Sequence, residues 1–196
     1  AAREAGEIAM RWFRRDPQVW HKAGGSPVSE ADLAVDRHLK QRLLAARPDY
    51  GWLSEETADG PERLGRDRVF VVDPIDGTRA FVEGDEGWTV SLAVVEAGRP
   101  IVAALIQPAT AALWQAISGA GARRNGDMLR VAERTDPVGA RVAGPKKFLE
   151  RPALQRLGFA TGRFVPSLAL RIAQVADGRL DIAYGSSNAH DWDLAA

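Results

Sequence analysis

The segment that most constrains this chain is Val72-Asp73-Pro74-Ile75-Asp76-Gly77-Thr78, which follows the apolar run Arg68-Val69-Phe70-Val71. A short, continuous run rich in β-branched residues favours a strand buried on both faces. Pro74 has no backbone N–H and disfavours helix at the residue before it, so we expect the strand to end at Asp73 and the chain to turn before Asp76. That turn lets the two carboxylates converge, and the segment therefore predicts a metal site.

The residues after Asp76 predict a phosphate site. Gly77 permits a close ligand approach that a side chain would block, and Thr78 can begin a helix whose free N–H groups face an anion. The same residues also fit an ordinary Asp-Gly turn with Thr78 as the helix N-cap. For the dipeptide alone the plain turn is the commoner outcome, so the choice depends on the rest of the sequence.

Asp-Pro-Ile-Asp-Gly-Thr is the central motif of the inositol-monophosphatase-like phosphatases, which are magnesium-dependent and lithium-sensitive, and this chain resembles that family at three further segments. Ser26 to Asp32 is similar to the family's Ser-Pro-Val-x-x-x-Asp element. Gly51 to Thr57 is similar to its Gly-Glu-Glu segment, with Ser54 where a glycine is usual. Asp191 to Ala196 resembles its Trp-Asp-x-Ala-Ala element. With all the motifs in the family's order, the chain is identified by resemblance as a member.

Hydrophobic patterning indicates helices and strands in mixed order, so the predicted fold class is α/β or α+β. The resemblance implies the layered α-β-α-β-α sandwich of the inositol monophosphatase and fructose-1,6-bisphosphatase type. We expect a single phosphatase domain over residues 1–196, with two closely packed lobes at about 1–130 and 131–196, lacking the family's C-terminal segment. The predicted helices are Glu4 to Arg15, Ser29 to Pro48, Leu149 to Leu157 and Ser167 to Ala176; the predicted strands are Val69 to Val72, Thr89 to Val95, Ile101 to Ile106, Leu113 to Ile117 and Leu180 to Tyr184, with a loop at Gly119 to Ala122.

The acids of these motifs form a set of hard oxygen ligands, which suits Mg²⁺ or Mn²⁺ better than Zn²⁺. By the resemblance, Glu55, Asp73 and the Ile75 carbonyl hold one metal ion, while Asp73, Asp76 and Asp193 hold a second. Acids gathered in a cleft repel one another unless cations neutralise them. The resemblance therefore implies two or three Mg²⁺ ions as cofactor, with Mn²⁺ as a substitute.

The resemblance also implies how the reaction is carried out. Asp32 pairs with Thr78 to orient and deprotonate the attacking water, with Glu55 beside them, and the Gly77 and Thr78 N–H groups receive the phosphate. Each acid has a plainer alternative: Glu55 and Glu56 as an exposed acidic pair, Asp32 as a first-turn acid favoured by the helix dipole, and Asp193 as an N-cap.

Three further residues are candidates for substrate contact. Arg79 follows the central motif where inositol-specific relatives carry Thr-Asn, and it either pairs with a second phosphate or is solvated. Ser186 stands where those relatives place an acid that grips ring hydroxyls. His190 lies close to the last metal acid. The substrate classes left open are an inositol monophosphate, a 3′(2′),5′-bisphosphate nucleotide and histidinol phosphate.

Composition narrows the remaining function classes. Lys plus Arg and Asp plus Glu both number 26, so there is no net charge to attract nucleic acid or an anionic membrane. The chain has no cysteine and no apolar run that approaches a membrane span, and the default location is cytoplasmic. A hydrolase with a Ser-His-Asp triad lacks support because no Gly-x-Ser-x-Gly segment occurs. The partner is then a small phosphorylated metabolite, with a homodimer expected from the family and a non-catalytic regulatory protein as the alternative.

Overall fold

A mixed sheet of seven strands forms the largest part of this protein, in a computed structural model that describes residues 1–22, 24–162 and 164–196. Numbered along the chain, the strands are β1 (Val19–His21), β2 (Pro27–Ser29), β3 (Gly51–Ser54), β4 (Arg68–Asp76), β5 (Thr89–Glu96), β6 (Arg99–Gln107), β7 (Ala112–Ile117), β8 (Gly121–Arg124), β9 (Asp127–Met128), β10 (Arg141–Ala143), β11 (Ala160–Thr161) and β12 (Ile182–Ala183). The helices are α1 (Ala2–Met10), α2 (Glu30–Ala46), α3 (Thr78–Val82), α4 (Lys146–Leu149), α5 (Pro152–Gln155), α6 (Leu168–Ala176) and α7 (Asp191–Leu194).

The large sheet has the order β3-β4-β5-β6-β7-β8-β9, with β3 parallel to β4 and every other pair antiparallel. Helices α1 and α2 pack on one face through an apolar core that includes Val35, Leu39, Val72 and Trp88. Helix α6 packs against β5 and β6 through a second cluster that joins Leu105 and other strand residues to its own apolar side chains. Strand β4 contributes residues to apolar clusters on both faces of the sheet, as its continuous apolar run predicts.

The second sheet is parallel, with the order β11-β10-β12. The connection from β10 to β11 contains α4 and α5, and the connection from β11 to β12 contains α6. The first connection moves from β10 to one edge of the sheet, and the second returns past β10 to the other edge. Because crossovers between parallel strands are right-handed, α4 and α5 lie on one face of this sheet and α6 on the other. The α-β-α-β-α order follows, so the predicted fold class is confirmed. The division into lobes near residue 130 stays a prediction.

Strand β4 contains the central motif, and it does not end at Asp73. It continues through Pro74 to Asp76 with an irregularity: Asp73 pairs with Ser91, and Asp76 pairs with Thr89. Three residue steps on β4 therefore match two on β5, which is a β-bulge. Pro74 lacks the donor that a regular ladder needs, and bulges are among the places where sheets tolerate proline. The expected stop at Asp73 was wrong, because the chain absorbs the proline as a bulge.

Several predicted bounds were also wrong. The predicted helix Leu149 to Leu157 is two short helices, because Pro152 interrupts the hydrogen bonding and begins α5. Helix α1 ends at Met10 and not at Arg15, since turns follow it and pack the Phe13 ring against both Phe81 and Trp88. The predicted loop at Gly119 to Ala122 contains the start of β8.

Within the described residues, each helix is too short or too polar to span a bilayer.

Candidate functional site

Three acids from two distant parts of the chain meet at the carboxyl end of β4. Asp73, Asp76 and Asp193 each have a carboxylate oxygen, and these atoms lie within 4.8 Å of one another. The bulge explains how Asp73 and Asp76 come together. Their partners Ser91 and Thr89 lie two residues apart on one face of β5, so the two acids lie on one face of β4. Asp193 comes from α7, which contacts β4 and β5, and the Trp192 carbonyl accepts a 3.2 Å hydrogen bond from the Ser91 hydroxyl.

Asp76 is held by the first turn of α6. Its Oδ2 accepts 2.7 Å hydrogen bonds from the Ser167 hydroxyl and from the Ala169 N–H, and Leu168 N lies 3.4 Å from Oδ1. Ser167 is the N-cap of α6 and its hydroxyl also accepts from Leu170 N. Burial raises the pKa of Asp76 to about 6, and the hydrogen bonds from Ser167 and Ala169 oppose the rise. Sequence reasoning placed a helix start at Ser167 but did not connect it with Asp76.

The other two acids are also biased toward protonation. Burial, followed by the charges of Glu55 and Asp76, raises the pKa of Asp73 well above its usual range. Burial likewise raises the pKa of Asp193, whose Oδ2 accepts a 2.7 Å hydrogen bond from the His190 N–H. The helix N-cap is His190 and not Asp193, so the capping alternative for Asp193 was wrong. A buried cluster of this kind favours a cation that compensates its charge.

Asp32 lies under the motif threonine, as the resemblance implied. Its Oδ1 is 3.2 Å from Thr78 Oγ1, which is also 3.0 Å from the Ile75 carbonyl oxygen. Its Oδ2 accepts hydrogen bonds from the Ser29 N–H and hydroxyl, in a capping box at the start of α2. Burial raises the pKa of Asp32 to about 6, against the lowering effect of the Ser29 and Thr78 hydrogen bonds. Asp32 therefore serves both as a helix acid and as the partner of Thr78.

Glu55 lies at the edge of the acidic cluster and is held by a lysine. Lys22 Nζ is 2.8 Å from Glu55 Oε1 and 2.7 Å from Glu56 Oε1. The Glu56 side chain is only 4% exposed, and burial raises its pKa to about 7. The exposed-pair alternative for Glu55 and Glu56 was therefore wrong. Sequence reasoning missed Lys22. The only signal available in the sequence was the position of this basic residue shortly before the Ser-Pro-Val element.

The acids open onto a cleft of about 1100 Å³. Gly77, Thr78, Arg79 and His190 all line it, and the His190 ring stacks on Trp192 with centroids 4.7 Å apart. Ser186 does not belong to the described lining, whereas the next residue, Ser187, does. Sequence reasoning also did not select three other lining residues, Phe164, Pro166 and Asn188.

The start of α3 explains the glycine of the motif. Gly77 has φ 95°, and a Cβ there would lie 3.0 Å from the Gly87 carbonyl oxygen. Only glycine fits this left-handed, crowded position without strain. Gly77 is the N-cap, so Thr78 is the first residue of the helix, as predicted, and the alternative with Thr78 as the N-cap was wrong. Its hydroxyl is consequently available to Asp32.

The whole chain, residues 1–196, matches one protein-family model, described as the inositol monophosphatase family. The chain belongs to the inositol monophosphatase family. This family is metal-dependent, in keeping with the three-acid cluster. Membership confirms the resemblance read from the motifs, and the predicted enzyme class, a phosphoric monoester hydrolase, is confirmed at the level of the family.

Relatives of this inositol monophosphatase family member carry different names. The chain is 34% identical, over 97% of its length and 75% of the relative, to a Streptomyces griseus protein named glucose-1-phosphate thymidylyltransferase. It is 32% identical, over all of its length and 79% of the relative, to inositol monophosphatase 2 of Solanum lycopersicum. The solved Thermotoga maritima IMPase superposes with a TM-score of 0.86 at 30% identity, covering 100% of this chain and 76% of that one. A Xylella fastidiosa relative named Nus factor SuhB is 33% identical over all of this chain and 74% of its own length. A Chlorobaculum parvum relative named histidinol-phosphatase is 36% identical over 67% of this chain and 50% of its own length. These names differ on the activity, and the family membership rests on the match of the whole chain to the family model.

Proposed function

We propose that this protein is a Mg²⁺-dependent phosphomonoesterase that hydrolyses a small phosphate ester, either an inositol monophosphate or a 3′(2′),5′-bisphosphate nucleotide. The observation that carries the proposal is the convergence of Asp73, Asp76 and Asp193 within 4.8 Å beside a cleft of about 1100 Å³. Acids with raised pKa values cluster at functional sites, and a cleft of this size accommodates a small metabolite.

The donor set fits hard divalent cations. Glu55, Asp73, Asp76, Asp193 and the Ile75 carbonyl would hold two or three Mg²⁺ ions, with Mn²⁺ as a substitute, because every ligand is an oxygen. When bound, the ions would supply Lewis-acid polarisation of the phosphoryl group and a nucleophile at neutral pH. Supporting this fit, the three clustered acids have raised pKa values that a cation would restore to the ionised state.

The remaining roles fall to the chain's own groups. With a pKa near 6, Asp32 is mostly ionised at neutral pH, so it can accept a proton relayed from the attacking water through the Thr78 hydroxyl, 3.2 Å away. The Gly77 and Thr78 N–H groups, at the start of α3, would bind phosphate oxygens. Glu55 would orient the same water once Lys22 releases it. The proton therefore moves from the cleft into a buried carboxylate.

Substrate contacts are proposed for Arg79, His190 and Ser186. Arg79 is exposed and lines the cleft, which suits contact with a second phosphate of a bisphosphate nucleotide. The stacked His190 would contact the leaving group. Ser186 lies just outside the described lining, so its contact would be indirect. A homodimer and a cytoplasmic location stay predictions.

The test is phosphate release with Mg²⁺ or with a chelator, from inositol 1-phosphate, 3′-phosphoadenosine 5′-phosphate, histidinol phosphate and fructose 1,6-bisphosphate. Metal-dependent release from one ester far above the others supports the proposal and names the substrate. Arg79→Gln should raise KM for a bisphosphate more than for a monophosphate, with exposed Arg156→Gln as the charge-matched control.

The relatives named histidinol-phosphatase and Nus factor SuhB favour keeping two alternatives, histidinol-phosphate hydrolysis and a non-catalytic regulatory role. Release from histidinol phosphate alone would select the first. Metal binding without release from any ester would select the second and overturn the proposed phosphatase. The intact acidic cluster supports catalysis over regulation.

A further inference from the structure

An exposed phenylalanine lines the cleft, and the proposed reaction does not use it. Phe164 is 53% exposed and borders the same cleft as the acids. It also borders a second recess of about 430 Å³, whose lining is mainly apolar and includes Val142, Leu149 and Phe159. Phe164 therefore stands between an acidic cleft and an apolar recess, with more than half of its surface uncovered.

The three residues that follow Phe164 fix its position. Val165 packs against the apolar cluster between α6 and the large sheet. Pro166 lies against Gly87, where an added Cβ would be 2.8 Å from the Pro166 Cδ atom. The Ser167 N–H donates a 3.1 Å hydrogen bond to the Gly87 carbonyl. A backbone that the core holds in place therefore presents Phe164 to the cleft.

Phe164 lies within reach of a substrate whose phosphate is bound at Gly77. A Cβ added at Gly77 would be 3.3 Å from the Ser167 N atom, so Ser167 directly adjoins the proposed phosphate position. Phe164 precedes Ser167 by three residues, and an extended chain advances at most about 3.6 Å per residue. The Cα atoms of Phe164 and Ser167 are therefore at most about 11 Å apart. The alcohol part of a small phosphate ester can meet the Phe164 ring within this distance.

A phenylalanine in this position suits a flat aromatic ring better than a polyol. Aromatic rings stack on one another, and a nucleobase that stacks on an aromatic side chain gains affinity whatever its hydrogen-bonding groups are. The hydroxyl groups of a polyol would instead lose water against a ring that offers them no hydrogen-bond partner. Burying hydroxyl groups without partners costs free energy. Phe164 therefore favours an alcohol that carries an aromatic ring.

We propose that Phe164 is a specificity-determining residue that stacks on a flat aromatic ring carried by the alcohol of the phosphate ester. A nucleobase and an imidazole ring share this chemistry. The stacked ring lies away from the reacting phosphate, so stacking stabilises the bound substrate and the transition state equally and lowers KM without changing kcat. This inference rests on the proposed phosphatase function and narrows its substrate, since an inositol monophosphate would then be the poorer ester.

The test is steady-state phosphate release with Mg²⁺ from four esters. Adenosine 3′-phosphate and histidinol phosphate carry an aromatic ring, whereas methyl riboside 3-phosphate, which lacks only the base, and inositol 1-phosphate do not. Phe164→Leu removes the ring and should raise KM for an aromatic ester at least about fivefold, with a change below about twofold for the other two esters. Phe164→Tyr keeps the ring, and Phe159→Leu makes the same exchange in the recess, outside the described cleft lining. Both should stay within about twofold of the unchanged protein.

A raised KM for one aromatic ester or for both supports the inference and distinguishes a nucleobase from an imidazole. A Phe164→Leu variant that leaves KM unchanged for both aromatic esters, or raises it alike for all four esters, overturns the inference. Circular dichroism establishes whether the variant is folded. If it is not, the unchanged protein still decides, because a kcat/KM for inositol 1-phosphate equal to or above those of both aromatic esters would overturn the inference. Absence of Mg²⁺-dependent release from every ester would instead overturn the proposed function.

Discussion

The Ser167 hydroxyl donates a 2.7 Å hydrogen bond to the buried Asp76 carboxylate and so joins α6 to the end of β4. The same hydroxyl accepts from Leu170 N as the cap of α6 and lies 3.1 Å from the Thr89 hydroxyl. One small side chain therefore couples a candidate metal ligand, a helix terminus and the neighbouring strand.

Replacing Ser167 by alanine should destabilise the protein by about 1–3 kcal/mol, because a helix cap is lost and Asp76 loses a buried donor. Urea unfolding of the metal-free protein measures this change. Ser118→Ala, at an exposed serine, is the matched control and should shift the free energy of unfolding by less than about 0.5 kcal/mol. Equal effects in the two variants would contradict the coupling.

Asp76→Asn should abolish turnover and leave the fold intact. The amide oxygen can still accept from Ser167 and Ala169, but the ligand charge is gone. We expect phosphate release to fall by at least about 100-fold. Steady-state kinetics, with circular dichroism as the check on folding, decide the matter. Near-normal turnover would remove Asp76 from the proposed metal site.

The metal-free protein should lose stability as pH rises from about 4 to 6. The pKa values of Asp32 and Asp76 are raised to about 6 in the folded state, from a usual value of 3.8, so the folded protein binds more protons than the unfolded chain across this interval. Each carboxyl then contributes a loss on the order of 3 kcal/mol once pH exceeds its folded pKa.

Mg²⁺ should reverse this loss, because metal ligands must be deprotonated to bind. Thermal unfolding at pH 5 and pH 7.5, with chelator or with Mg²⁺, measures both effects. Mg²⁺ should raise the melting temperature more at pH 7.5, and metal-free Asp76→Asn should show a weaker pH dependence. A metal-free protein that is more stable at pH 7.5 than at pH 5 would contradict this account.

Ser54→Ala should cost about 1–3 kcal/mol, since it removes one of two donors to a buried carboxylate. Asp36 accepts 2.5 Å and 2.7 Å hydrogen bonds from the Ser54 and Thr57 hydroxyls, which flank Glu55 and Glu56. Chemical denaturation of Ser54→Ala and Thr57→Val should give costs of similar size. A negligible cost in both variants would mean that Asp36 does not stabilise this loop.

Local signals predicted a large part of this structure. The helix that begins at Ser29, the buried run of β4 and the two strands β5 and β6 each depend on neighbouring residues, and all are confirmed. The resemblance placed Asp32 next to Thr78, a contact between residues 46 positions apart that no local pattern encodes.

What the sequence did not predict depends on tertiary contacts. Helix α1 buries Gly6 against Pro108, where an added Cβ would lie 3.0 Å from the Pro108 Cγ atom, and only the fold brings these two residues together. In the sequence Lys22 looks like an ordinary surface cation, and only the fold places Glu55 and Glu56 beside it. Such roles arise from partners far away in the chain.

The bulge at Pro74 makes the site depend on spacing as much as on residue type. In a regular strand, side chains three positions apart point to opposite faces, so Asp73 and Asp76 would be separated by the sheet itself. The bulge matches the three-residue interval from Asp73 to Asp76 with a two-residue interval on β5, and so keeps both side chains on one face. Deleting one residue between the two acids would remove the bulge and turn one carboxylate to the opposite face of the sheet, although its residue type would be unchanged. The length of this segment is thus as much a part of the site as the two carboxylates themselves.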